Sequence, residues 1–288
     1  MAKKNEEAVG ENTEQQLPVT QQQGFALSAD FMADLGDLGD LGYSEKAEDS
    51  MIPILAILQD NSGEVKARHS KRIEGASAGD LIIRSIQKVI PMGPQDAPLV
   101  FQPCAFQHVW VEWEGETGEG VPVGQFAFDA MPDDAIEKLD PQDPEGKKKM
   151  WVRANGNRLV DTRYHFGHVI GDDGSLMPLV VPMAGTNHTV SRQWTATMKQ
   201  FSIPGAPGRR APAFMRQYAL KTKFRERGSQ SWYNYGVTDL GWISDENILR
   251  QGLEMLRSVT ENKVAADISG MGEAASTDDG TGTDDEPI

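Results

Sequence analysis

From Arg216 to Tyr235 the chain reads RQYALKTKFRERGSQSWYNY, a pattern suited to holding a polyanion. Alternate side chains of an extended strand share a face. Lys221, Lys223, Arg225 and Arg227 therefore form one row, while Tyr218, Leu220, Thr222 and Phe224 point the other way. Like charges in such a row repel unless water or a polyanion neutralises them. Gly228 to Gln230 read as a turn, and the returning segment brings Trp232, Tyr233 and Tyr235 beside the row. Cations that follow phosphates, next to rings that stack on unpaired bases, are what sequence-tolerant single-strand binding requires. Arg216 at the start of the strand, Arg192 and Lys199 before it, and the Arg209–Arg210 pair extend the same surface. A merely solvated basic face, with aromatic rings in ordinary cross-strand packing, competes evenly with this reading. Trp194 falls on an apolar helix stripe and reads as core. Trp232 and Tyr233 alternate, so they cannot both be core, and one of them is a candidate for stacking.

Other chemistry is weaker. His165 and His168 lie near Asp161, Asp172 and Asp173, but strand positions three apart face opposite sides and cannot easily share an ion. Asp172 and Asp173 are better read as turn residues than as a nuclease pair. The single cysteine, Cys104, excludes an internal disulfide and a Cys-rich metal site. Neither a phosphate-binding GxxxxGK[ST] loop nor a GxGxxG fingerprint is present. The expectation is a binding protein with no cofactor, no metal and no catalytic residues, rather than an enzyme.

The elements that position the basic row can be read in outline. Ile52 to Leu58 is a short apolar run interrupted by Pro53, an edge strand or a helical turn. Leu81 to Ile83 reads as a strand. Val100 to Trp113 is a strand with Val109, Val111 and Trp113 on one face and His108, Trp110 and Glu112 on the other. The acidic stretch 131–149 reads as a surface insertion or short helix. Arg163 to Ile170 and Leu176 to Val181 form a hairpin about Gly171–Gly174. Val190, Trp194, Met198 and Phe201 recur at helical spacing after a cap at Thr186 or Asn187. Phe214 to Arg227 and Trp232 to Thr238 are strands, and a last helix carries Ile248, Leu249, Leu253, Leu256 and Val259 after Ser244 or Asp245. Strands outnumber helices and no βαβ rhythm appears. The expected fold is mainly β: an antiparallel sheet curled into a small barrel, with insertions and one or two packed helices.

The net charge of −15 would argue against a nucleic-acid partner, but its distribution reverses the argument. Residues 1–50 hold eleven acids against three lysines, and 265–288 hold seven acids and no base, so 51–264 are neutral in total. Within that middle, 111–150 hold eleven acids and four lysines, whereas 151–230 hold twelve bases and four acids. A neutral average hides a basic segment. The expected division is a disordered acidic arm over 1–48, a single-stranded DNA-binding domain over 49–264 and a disordered acidic tail over 265–288. The arm repeats Asp-Leu-Gly from Asp34 to Gly42, which offers Leu35, Leu38 and Leu41 as a docking motif. No apolar run follows the first lysines and no stretch is long enough to span a bilayer, so a cytoplasmic protein without a membrane partner is expected. The oligomeric state is left open.

A resemblance sharpens these expectations. TNHTVSRQWTATMKQF, the later APAFMRQYALKTKFRERGSQSWYNYGV and the opening IPILAILQDNSGEV with GASAGDLI resemble a family of phage single-stranded DNA-binding proteins over about 190 residues. The resemblance implies an OB-like barrel and a role in replication or recombination in the host cytoplasm. Asp284, Asp285, Glu286 and Ile288 resemble the acidic tip with which such proteins recruit replication or recombination enzymes. The acidic 111–150 stretch departs from what a simple barrel needs. A phage virion or assembly protein is the alternative.

Overall fold

The computed structural model describes residues 50–117, 120–141, 147–204, 208–228 and 230–271. The expected arm, its Asp-Leu-Gly repeat, and the tail residues Asp284, Asp285, Glu286 and Ile288 lie outside the described residues.

In chain order the strands are β1 (Met51–Ile52), β2 (Leu55–Ile57), β3 (Leu81–Ile83), β4 (Lys88–Ile90), β5 (Leu99–Trp113), β6 (Pro122–Ala127) and β7 (Ile136–Leu139). They continue with β8 (Lys149–Val152), β9 (Arg158–Ile170) and β10 (Leu176–Ala184). Helix α1 (Asn187–Met198), β11 (Arg216–Arg227), β12 (Gln230–Trp242), helix α2 (Glu246–Thr260) and β13 (Ala265–Ala266) complete the order. The mainly β class is as expected.

The closed barrel is not formed. The main sheet runs β12-β11-β5-β9-β8-β7, with β10 also on β9 and β6 also on β5, and its two ends do not meet. The reason lies in how β5 is shared. One side of β5 pairs with β9 along most of its length, from Phe101 to Trp113. The other side takes β11 only at Leu99–Phe101 and β6 only at Val109–Trp113. Between those two pairings the 3-10 turn Ala213–Met215 and α2 cover the strand, and Gln102 Nε2 donates to Phe214 O (2.8 Å) and Ile248 O (3.0 Å). A strand shared in this way branches the sheet instead of closing it. The smaller sheet β2-β3-β4 and the parallel pair β1-β13 pack beside it.

Burial follows from this layering. Both faces of β5 are covered near its end: Val109, Trp110, Val111, Glu112 and Trp113 are all buried. The run from Ile52 is more central than an edge strand, with Ile54, Leu55 and Leu58 fully buried. The β9–β10 hairpin has the expected register, Ile170 opposite Leu176. His165 and His168 are both buried in it and serve different partners: His165 Nε2 pairs with Ser191 Oγ at 2.9 Å, and His168 Nδ1 with Gln102 Oε1 at 3.0 Å. Asp245 caps α2 by accepting from Asn247 N at 2.8 Å. The buried stripe of α2 is Gly252, Met255 and Val259, while Leu253 and Leu256 are half-buried. Gly252 is what permits this docking, since a Cβ there would fall 2.5 Å from Gln102 Nε2.

Among the described residues the acidic 131–149 stretch forms a strand, β7, rather than a helix. Arg153 reaches Glu112 (2.8 Å) and Asp134 (2.9 Å), Arg158 reaches Asp140 (3.3 Å), and Lys149 reaches Glu137 (2.6 Å). Burial alone would raise the Glu112 carboxyl, but Asn155, Asn157 and Arg153 outweigh it and hold the group below its ordinary range. The opposite charges of the 111–150 and 151–230 segments are thus partly spent on each other.

Described structure continues past 265, the expected start of the tail. Ala265 and Ala266 pair with Met51 and Ile52, and Ala266 is buried. The chain then forms a 3-10 turn, Ile268–Met271, whose carbonyl at Met271 accepts from Arg84 Nη1 at 2.7 Å. Residues 265–271 read AADISGM, with Asp267 their one acid, and this small and apolar composition suits them to packing. Among the described residues no helix is long and apolar enough to cross a membrane.

Candidate nucleic-acid interface

The basic row sits on a projecting ribbon. β11 pairs with β5 only from Tyr218 to Leu220, whereas its pairing with β12 continues to Arg227 opposite Gln230. Beyond Lys221 the hairpin is therefore two strands wide. Just after Arg227, Gly228 takes a φ of 61°, a left-handed conformation glycine adopts without strain.

Directly opposed residues of an antiparallel pair share a face. Arg225 opposes Trp232, Lys223 opposes Asn234 and Lys221 opposes Gly236, so of the three expected aromatic residues Trp232 shares the basic face. Tyr233 opposes Phe224 and Tyr235 opposes Thr222, on the reverse face. Tyr235 is a correction: it is 3% exposed and its hydroxyl donates to Leu55 O at 2.8 Å, so its ring has no free surface for a base. Burial drives its phenol far above the ordinary range, and Arg84 only partly opposes the shift. Tyr233 is half-buried. Its ring leans on Gly79, where a Cβ would come within 2.6 Å of it, and meets Phe224 edge-on at 5.3 Å. Phe224 itself is 53% exposed.

Side-chain amides fix the outer side of β12. Gln59 Nε2 donates to Tyr233 O at 2.9 Å while Tyr233 N donates to Gln59 Oε1 at 2.8 Å. Two residues on, Tyr235 N donates to Asn187 Oδ1 at 2.9 Å, and Thr186 Oγ1 donates to Asn234 Oδ1 at 2.7 Å. The polar start of α1 thereby docks on β12, which explains why Thr186 does not cap its own helix.

The cations divide into two groups. Arg216 is a correction: it is buried, pairs with Asp239, and lies 3.6 Å over the Phe201 ring and 4.5 Å over Trp242. Lys221 is half-buried and donates to Asp96 O at 2.9 Å. Lys223, Arg225 and Arg227 are exposed and form no ion pair among the described residues. Arg192, Lys199, Arg209 and Arg210 are exposed as well, on α1 and the loop after it. Among the described residues no hydrogen bond or ion pair joins the hairpin row to those four.

Between α1 and β12 lies a cleft of about 230 Å³, which sequence reasoning missed. Its walls include Gln193, Trp194 and Thr197 of α1 with Tyr218, Lys223 and Arg225 of the hairpin. Trp194 was legible as core, but the cleft forms only once α1 docks on β12. Among the described residues no cluster of three or more His, Cys, Asp or Glu side chains could hold a metal ion.

These features define a mainly β protein that carries a projecting, cation-faced hairpin beside a helix-walled cleft. Residues 20–265 match the family model described as Pam3 phage gp34-like protein, and the chain belongs to that phage family. No curated protein and no solved structure matches it.

Proposed function

We propose that this phage-family protein binds single-stranded DNA with little sequence preference, in the cytoplasm of the infected cell. The observation that carries the reading is the row Lys223, Arg225 and Arg227, exposed, free of ion pairs among the described residues, and on the same ribbon face as Trp232. Cations placed this way attract phosphates, and a half-buried indole beside them offers a π-face to a base that a duplex would hide. The acidic residues after 271 then act as a recruiting segment for replication or recombination proteins. A titration of an oligothymidylate and of a duplex of equal length against the full chain at low salt tests the reading. Tighter binding of the single strand is expected, and absence of binding to either overturns it.

A second reading, a virion or assembly protein, draws on a different surface. Val121, Val123, Phe128, Ile136 and Leu139 are exposed apolar residues gathered in the 111–150 segment, as in a protein–protein contact. Stable incorporation of the chain into purified phage particles would favour it over the DNA-binding reading.

A further inference from the structure

We infer that the loop joining β2 to β3 is a second phosphate-binding patch, where Lys66 and Arg68 hold the backbone of a single strand that has crossed the hairpin onto Phe224. This inference rests on the single-strand reading above and extends its site from one face of the hairpin to the other.

The loop concentrates positive charge. Residues 66–72 read KARHSKR, with four cations and no acid, and Lys66, Arg68, Lys71 and Arg72 are all exposed. Two tight turns fold the run: His69 N donates to Lys66 O at 3.1 Å and Arg72 N to His69 O at 3.0 Å. Each such turn brings its first and fourth residues within about 7 Å, inside the Debye length of about 8 Å at physiological salt. Between 61 and 78 the acids are Glu64 and Glu74; Glu64 is buried and held by Arg84 at 2.6 Å, so only Glu74 faces solvent. Arg72 donates to the carbonyls of Val65 and Ala76, whereas Lys66 and Arg68 have neither an ion pair nor a side-chain hydrogen bond among the described residues. Crowded cations without a partner attract a polyanion.

The run is braced at both ends. Val65 and Ile73 pack on Leu58, Ala76 and Ile82, and Ile73 N donates to Glu64 O at 3.0 Å. The cations therefore keep their places as a strand approaches, and binding costs little ordering of the backbone.

Loop and hairpin meet at one neck. Leu58 N donates to Asp80 O at 2.8 Å and Gly79 N to Leu58 O at 2.7 Å, closing the loop at its base. The reverse face of the hairpin is fastened there, by Gln59 on Tyr233, by the Tyr233 ring on Gly79, and by Thr222 Oγ1 donating to Gly79 O. Phe224 is the next residue of β11 on that face. Its recorded ring contact is with Tyr233, and with over half its surface exposed it offers a ring to a base. Beyond Leu220, β11 pairs with β12 alone, so among the described residues its other border is unpaired. A strand laid on Lys223 and Arg225 can pass over that border to Phe224, which stands between them in β11. Glu226, exposed on the reverse face nearer the tip, turns phosphates away from the tip and towards the loop.

The test follows binding of a long oligothymidylate to the full chain as salt is raised. Lys66→Gln with Arg68→Gln should make the slope of log affinity against log salt shallower by about 1.4, at about 0.7 per phosphate released. Lys88→Gln removes an exposed lysine of β4, in the same small sheet, that has no ion pair or side-chain hydrogen bond among the described residues, and should leave the slope unchanged. Phe224→Leu keeps apolar bulk against Tyr233 but removes the aromatic face, and should weaken binding about fivefold or more at an unchanged slope. An unchanged slope in the double variant overturns the patch. An equal loss per charge in Lys88→Gln overturns it too, because the general field of the protein would then account for both. Full affinity in a folded Phe224→Leu overturns the crossing on which the patch depends. In each of these cases the single-strand reading stands, since the unaltered chain still binds. A chain that binds no oligonucleotide removes the reading and the patch together. Should Phe224→Leu not fold, the double variant and its Lys88 control decide the patch by themselves.

Discussion

Neutralising the hairpin row provides the sharpest test of the electrostatic argument. Lys223, Arg225 and Arg227 alternate on one strand face, so neighbouring charges stand about 6.7 Å apart at the rise of an antiparallel strand. That spacing is inside the Debye length of about 8 Å at physiological salt, and the three act as one field on an approaching strand. Each phosphate neutralised on single-stranded DNA contributes about −0.7 to the slope of log affinity against log salt, so three contribute about −2. By that slope, binding falls roughly twentyfold between 50 and 200 mM salt through these three residues alone. The triple variant Lys223→Gln, Arg225→Gln, Arg227→Gln should lose that share, making its slope shallower by about 2. All three side chains are exposed and without an ion pair among the described residues, so stability should change by no more than about 0.5 kcal/mol. Fluorescence anisotropy of a labelled oligothymidylate at four or five salt concentrations gives both slopes, and urea unfolding checks the fold. Equal slopes for the two proteins would refute the reasoning even if the affinity itself had dropped, because the row would then not be touching phosphates.

Trp232→Ala should cost about 1–3 kcal/mol of binding with the salt slope unchanged, since a stacked ring neutralises no phosphate; a changed slope would contradict the assignment. Deleting 272–288 removes six acids and no base, and should tighten oligonucleotide binding at low salt, with the gain fading as salt rises. Equal affinities of the full and shortened chains at low salt would show that this segment does not compete with DNA. His165 provides a test of stability against pH. Burial, with Arg163 adding to it, lowers its imidazole to about 3, whereas the unfolded chain protonates it near the ordinary value of about 6.5. Above that ordinary value the contribution is fully present. As the pH falls towards the lowered one, the unfolded state gains a proton the folded state refuses, at a cost of up to roughly 5 kcal/mol. Urea midpoints should therefore fall between pH 7 and 4.5, less steeply in His165→Gln, and parallel pH profiles for the two proteins would count against the burial argument.

Local pattern carried the sequence reading far where structure is local. The β9–β10 hairpin, the start of α1 and the basic alternation of β11 were legible because turn residues and periodicity act within a few positions of each other. The sequence left open which of Trp232 and Tyr233 shares the basic face, for a specific reason. Reading the turn as Gly228 to Gln230 makes it three residues long and sets Tyr233 opposite Arg225. The observed register pairs Arg227 with Gln230 and sets Trp232 there instead. A slip of one residue moves every side chain to the other face. Two-residue loops with glycine first are among the favoured hairpin turns, so the correct register was within reach of the sequence. Arg216 was not within reach. Its partners Phe201, Trp242 and Asp239 come from other elements, and nothing local distinguishes it from Lys223. The open sheet was equally hidden, because it depends on how β5 divides one side between β11 and β6.

The Gln59 amide has a further consequence for how this protein behaves in a crowded cell. A strand at the border of a sheet presents unpaired N–H and C=O groups, a template on which another chain can add itself. Gln59 gives Tyr233 one donor and one acceptor, the same pair that a neighbouring backbone would give, and Asn187 accepts from the next outward-facing amide, at Tyr235. Two side chains thus imitate the first two rungs of an absent strand. The long hairpin is therefore closed to recruitment into a growing β-assembly along this stretch, while its charged face stays open. Gln59→Ala would restore the vacant rungs, so its signature should be concentration-dependent self-association rather than unfolding.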